Sequence, residues 1–202
     1  MAMEREGREF WITAEPVTRE AFAPFGELLG VVGDPTPHVY GNTLAPYRAG
    51  RLESDAEVEW IYTTYRVREY RVQYLERHHN ITQTFIPLGG DPIVVAVAAP
   101  EEELNDGTPV VDSVRAFVVP GTMAVNLSRG TWHEVPFPIV DGQVTLLTSH
   151  AGVTTGWASL DERGDIARAE QDEEKRDVLA HTGVRLMIDV PARLLLAPSQ
   201  SE

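Results

Sequence analysis

The chain has 202 residues, about one domain at ~100–200 residues each, and 43% of them are hydrophobic, enough to bury a core unaided. It holds no cysteine, which excludes disulfides, thiolate metal sites, iron–sulfur clusters and a cysteine nucleophile. Acids outnumber bases 31 to 17, for a formal charge of −14, a field that repels nucleic-acid phosphates and anionic membranes.

Met1–Glu9 is polar and charged, without the apolar stretch of a signal peptide, so a soluble, cytoplasmic protein is expected. Thr18 is placed to cap a short helix, Arg19–Ala23, which Pro24 limits. The segment 33–56 carries three Pro and three Gly and reads as a long loop insertion. Strand-like runs follow at Trp60–Tyr65, Arg66–Arg77, Thr82–Pro87, Ile93–Ala98 and Ser113–Val119. The longest apolar run, Ile93–Ala99, is far short of the ~20 residues of a membrane span. Asp141-Gly142 predicts a hairpin between Phe137–Val140 and Gln143–Thr148. Asp161–Ala180, rich in Glu, Arg, Asp and Ala, predicts a charged, solvated helix, and Val184–Val190 a last strand. Short strands at short spacing imply an all-β sandwich or barrel with a few peripheral helices, one domain over 1–202.

The chemistry concentrates in two places. In Arg66–His78, period-two reading puts Tyr70, Val72, Tyr74, Glu76 and His78 on the more apolar, inward face, and Glu69, Arg71, Gln73, Leu75 and Arg77 on the other. Tyr70 and Tyr74 are expected as cavity wall. A buried carboxylate requires a partner or a cation, so Glu76 and His78 read as ligands, acid/base groups or a buried pair. In Thr82–Pro87 the same alternation lets Gln83 face that cavity. Later, Ser128-Arg-Gly-Thr-Trp-His133 sets a His just beyond a glycine turn.

The spacing Glu76-x-His78-x4-Gln83-x6-Gly90 resembles the first cupin motif, and Gly130-x2-His133 the end of the second. That resemblance implies a double-stranded β-helix barrel with Glu76, His78, Gln83 and His133 at the metal-ligand positions. Oxygen and imidazole donors suit Mn²⁺, Fe²⁺, Ni²⁺ or Zn²⁺. No organic cofactor is expected.

At closer range, Glu76-Arg-His-x4-Gln83-x-Phe-Ile-Pro87 and Val125-Asn126-x2-Arg129-x2-Trp132-His133 resemble the signature segments of the ureidoglycolate lyase family. Pro16–Gly26 resembles the family's opening segment. Where the family tends to carry a second His after Trp-His, this chain has Glu134. The resemblance implies a cupin-fold, usually dimeric carbon–nitrogen lyase of allantoin catabolism that splits ureidoglycolate into glyoxylate and urea, with nickel in some members. It implies a small carboxylate as ligand; the alternatives are a divalent-metal cupin enzyme acting on another small hydroxy- or keto-acid and a non-catalytic cupin that binds a small acid, and the negative charge argues against nucleic acid or membrane as partner.

That substrate needs a carboxylate anchor, a base for its hydroxyl and an acid near its leaving nitrogen. Arg suits a carboxylate, so Arg129 is the expected anchor and Arg77 the alternative. Asn126 and Gln83 are expected on the substrate's polar groups. Either a metal activates the hydroxyl, or His133 or His78 is the base with Glu76 orienting it.

Overall fold

The computed structural model describes residues 7–30, 49–104, 106–150, 165 and 172–195. In chain order the strands are β1 (Arg8–Thr13), β2 (Glu15–Pro16), β3 (Gly26–Leu29), β4 (Val58–Thr64), β5 (Arg71–Val72), β6 (Tyr74–His78), β7 (Gln83–Leu88) and β8 (Ile93–Ala98). They continue with β9 (Arg115–Val119), β10 (Ala124–Leu127), β11 (Trp132–His133), β12 (Phe137–Pro138), β13 (Val144–His150), β14 (Glu173–Asp177) and β15 (Val184–Asp189). Short helices are α1 (Arg19–Phe22), α2 (Val178–Thr182) and α3 (Ala192–Leu195).

These strands make three sheets. The middle one runs β14-β6-β11-β8-β9-β2, with β12 joined to β8. A five-stranded sheet, β3-β10-β7-β13-β4, contributes to one core and a three-stranded sheet, β1-β15-β5, to the other. The apolar run of β8 makes this layering possible. Its Ile93, Val95 and Val97 join Phe22, Phe85, Phe117 and Leu147 in one core, while Val94, Ala96 and Ala98 join Leu75, Trp132, Phe137 and Leu186 in the other. A strand buried on both faces has no reason to alternate, and this one does not. The result is the all-β, cupin-like architecture expected from the sequence.

Several local expectations hold. Thr18 Oγ1 accepts the Ala21 N–H and caps α1. Gly130, at φ +80°, makes the left-handed turn that leads into β11.

Others need correction. Arg66–Arg77 is not one strand: β5 pairs with β15, and β6 pairs with β14 and β11. Val72 and Leu75, three apart, lie in the same core, so the alternation shifts by one residue at Gln73–Tyr74. Beyond that shift Tyr70 packs on Phe137 and Tyr74 under Lys175, and neither lines the cavity. The turn at Asp141-Gly142 forms, but its flanks do not pair as a hairpin. Phe137–Pro138 pairs with β8, whereas β13 pairs with β4 and β7. Within the expected helix Asp161–Ala180, residues 173–177 are strand and Val178 onward is α2. Of that segment, 161–164 and 166–171 lie outside the described residues, as do 33–48 of the expected loop.

Candidate metal centre and active site

Pairing in the middle sheet assembles the site. His133 on β11 lies opposite Glu76 on β6, and Glu173 on β14 lies opposite His78. From the facing sheet, β7 supplies Gln83 and Phe85, and β13 supplies Leu147 and Ser149. Together with Ile61, Thr63, Tyr65, Val135 and Pro136, these four and Glu76, His78 and Glu173 line a cavity of about 30 Å³, room for an ion or a few water-sized atoms. Ile61, Thr63 and Val135 are its half-buried lining residues and mark the mouth; the rest are buried.

The polar atoms inside are mostly acceptors without donors. His133 Nδ1 lies 3.0 Å from the Thr131 carbonyl, so Nδ1 carries the proton and Nε2 presents its lone pair to the cavity. That Nε2 is 3.5 Å from Glu76 Oε1 and has no hydrogen-bond partner. Both ring nitrogens of His78, Gln83 Oε1 and Glu173 Oε1 are buried and unpartnered as well. Lone pairs gathered this way in a dry pocket are costly unless a cation or protons fill it. Ligand atoms of Glu76, His78 and His133 all lie within 4.8 Å of one another, close enough to share one ion. The residues therefore fit a divalent metal, with Gln83 as a further oxygen donor beside them.

Charge shapes the site further. Lys175 Nζ lies 2.8 Å from Glu76 Oε2 and 3.8 Å from Glu173 Oε1. Burial alone would raise the Glu76 carboxyl, but the Lys175 ammonium beside it holds it well below the usual carboxylate range. Burial, with His133 beside it, pushes the His78 imidazole down to about 3, so it is neutral. Glu173 goes the other way: burial and the charge of Glu76 push it up to about 7. Burial likewise raises the Tyr65 phenol to about 12, so it stays protonated.

Glu76, His78 and Gln83 thus line one cavity, and His133 lies beside them with its Nε2 3.5 Å from Glu76 Oε1. Arg129 and Asn126 do not reach it. They line an open pocket of about 490 Å³ with Glu27, Arg51, Glu53, Thr82 and Ser128. Arg129 makes a two-pronged pair with Asp55, at 2.9 and 3.0 Å. The Asn126 amide is spent on Thr84 and the Arg51 carbonyl. Arg77 lies on the opposite face of β6, stacked over Trp132 and paired with Glu103 and Glu174.

Sequence reasoning missed Glu173, Lys175 and Tyr65. Glu173 and Lys175 had one usable signal, since residues two apart in a strand share a face. Glu134, which departs from the family pattern, is structural: Oε2 accepts the N–H groups of Gln73 and Tyr74 at the parity shift, and Arg68 pairs with Oε1.

A cupin-like β fold with a buried Glu–His–His group beside a small cavity has the makings of a small-molecule site, and comparison with known proteins specifies the family. Residues 9–151 match the sequence model of the family described as ureidoglycolate lyase, and the chain belongs to that family. It is 37% identical over 130 residues to ureidoglycolate lyase of Rhodobacter capsulatus, covering 62% of this chain and 77% of the relative. With the enzymes of that name from Pseudomonas aeruginosa and Azotobacter vinelandii it shares 34% over 144 and 30% over 147 residues. These cover 68% and 70% of this chain, and 82% and 86% of the relatives. Among solved structures, RmlC from Streptococcus suis in complex with dTDP-D-xylose is similar at 12% identity and a TM-score of 0.29, over 73% of this chain and 65% of that one. The architecture here stands on its own strand order.

Proposed function

We propose that this chain is a ureidoglycolate lyase, cleaving the carbon–nitrogen bond of ureidoglycolate to give glyoxylate and urea. The observation that carries this reading is the buried Glu76–His78–His133 group, built wholly within the residues that match the family.

Glu76, His78 and His133, with Gln83, would hold a divalent cation, which when bound supplies a Lewis acid for the substrate's hydroxyl and a positive charge for its carboxylate. Ni²⁺, Mn²⁺, Zn²⁺ and Fe²⁺ all suit this mixture of donors. With Arg129 and Arg77 engaged elsewhere, that charge is not supplied by an arginine of the cavity. Glu173 moves the proton. Its Oε1 takes the hydroxyl proton, the carbon–nitrogen bond breaks as the aldehyde forms, and the same carboxyl returns the proton to the departing nitrogen. A carboxyl near pH 7 suits both halves of that transfer.

Incubation with racemic ureidoglycolate, following urea and ammonia separately, tests the reaction. Urea without ammonia is expected. Ammonia instead would make the chain an amidohydrolase, and no product at all would end the reading. His78→Ala and His133→Ala are expected to lower metal content and activity together, with partial recovery in excess metal. Full kcat in a chelator-treated enzyme would remove the metal from the mechanism.

The active form is a homodimer in the cytoplasm. The dimer is supported by Trp60 and Tyr62, which stand out from the edge strand β4 at 57% and 66% exposure. No helix among the described residues is long and apolar enough to cross a membrane.

A further inference from the structure

The site's ammonium comes from a part of the chain outside the residues that match the family. Strand β14 lies beyond residue 151, yet it completes the edge of the middle sheet and delivers Lys175 onto Glu76. Of the two oxygens of Glu76, Oε1 faces His133 Nε2 at 3.5 Å and Oε2 holds Lys175 Nζ at 2.8 Å. One carboxylate therefore serves both the imidazole cluster and a fixed cation.

We propose that Lys175 is a built-in counter-cation that shares Glu76 with the divalent ion, weakening metal binding so that the metal exchanges, while Glu173 acts in the opposite sense. This rests on the reading of the cavity as a divalent-cation site. Two positive charges bound to one carboxylate in a low-dielectric pocket repel each other, and the fixed one cannot diffuse away. Lys175 also draws electron density from Glu76, leaving a poorer donor for a metal. In return, Lys175 keeps Glu76 compensated when no metal is bound, which a buried carboxylate otherwise lacks. Glu173, 3.8 Å from Lys175 and 2% exposed, returns negative charge to the same spot. The pair sets the field at Glu76 from a strand that lies beyond the residues matched by the family.

The test is calorimetric titration of the chelator-treated full chain with Mn²⁺, Ni²⁺ and Zn²⁺ separately, at pH 8. Lys175→Met is expected to bind at least about 10-fold tighter than wild type, the scale on which groups behind metal ligands tune affinity, and Lys175→Arg to stay near wild type. Glu173→Gln is expected to bind more weakly. Lys175→Met is also expected to have a lower Tm without metal and a larger rise in Tm when saturated, since a ligand bound only by the folded state stabilises it. Should Lys175→Met fail to fold, Glu173→Gln decides, with unchanged or tighter binding overturning the proposal. Equal or weaker affinity in a folded Lys175→Met also overturns it, as does a wild type that binds none of the three metals. Affinity is read here without turnover. Opposite shifts in the two variants with no urea formed would sink the lyase reading and leave this one standing.

Discussion

Glu173 shows how a single burial decides chemistry. In the unfolded chain its carboxyl titrates near 4.5, and in the cavity it moves up to about 7. Between those values the folded state holds a proton that the unfolded state has lost, so stability falls as pH rises through that window. At 1.36 kcal/mol per unit the full cost above pH 7 is about 3 kcal/mol. Chelator-treated Glu173→Gln should therefore gain on the wild type between pH 4.5 and 7, then level off, in urea unfolding followed across pH. A difference independent of pH would place the titration elsewhere. Glu76 behaves in the opposite way. Its depressed carboxyl contributes stability above about pH 4.5 that is lost on acidification. In catalysis Glu173 must be ionised to take a proton, so kcat/KM should rise with pH as it ionises, at a pH that a bound cation sets below its metal-free position, and Glu173→Gln should cost kcat ~10²–10⁴-fold.

At the scale of elements, the junction of β5 and β6 aims the whole site. Without the one-residue shift at Gln73–Tyr74, the residues of β6 would exchange faces, and Glu76 and His78 would point at the Trp132 core. Glu134 Oε2 pins the shift by accepting both N–H groups at 2.9 Å. Glu134→Ala would leave those two donors without their acceptor. A fully buried unsatisfied group costs about 1–3 kcal/mol, and with Gln73 exposed and Tyr74 half-buried a total loss of about 1–3 kcal/mol is expected in denaturant unfolding. A change under 1 kcal/mol would mean that the shift is held by packing alone. Strand β14 teaches the converse lesson. Its sequence, Glu-Glu-Lys-Arg-Asp, has helix-forming composition, but its odd and even residues pair with different partners. Glu173 and Lys175 meet Glu76, while Glu174 and Arg176 pair beside Arg77. Charges satisfied across a sheet override local propensity.

For the whole molecule, the middle sheet serves two cores, and the site lies where the core shared with the five-stranded sheet runs out. His133 packs edge-on to Phe85 at 5.6 Å, the last aromatic contact before the polar cluster. The mouth, at Ile61, Thr63 and Val135, opens beside the edge strand β4, whose outward Trp60 and Tyr62 are the proposed dimer contact. Light scattering should give twice the 22.4 kDa chain mass, and Trp60→Ser with Tyr62→Ser should give the single mass with fold intact by circular dichroism. A wild-type monomer at working concentration would remove the dimer.

Local sequence determined a good deal of this protein. The apolar run Ile93–Ala98 marked the strand β8, the Thr18 cap started α1, and the spacing Glu76-x-His78-x4-Gln83 with His133 named four groups that gather at the cavity and beside it. These are patterns within a dozen residues, where period-two geometry fixes which side chains share a face. Tertiary structure alone decided the charges. Lys175 reaches Glu76 across 99 positions, Arg77 is claimed by Glu174 across 97, and Arg129 by Asp55 across 74. A charged side chain carries no local mark of its partner, because its pairing depends on which strands the fold sets side by side. So the sequence named the residues that can hold a metal, and only the folded sheet showed which cation stands beside them.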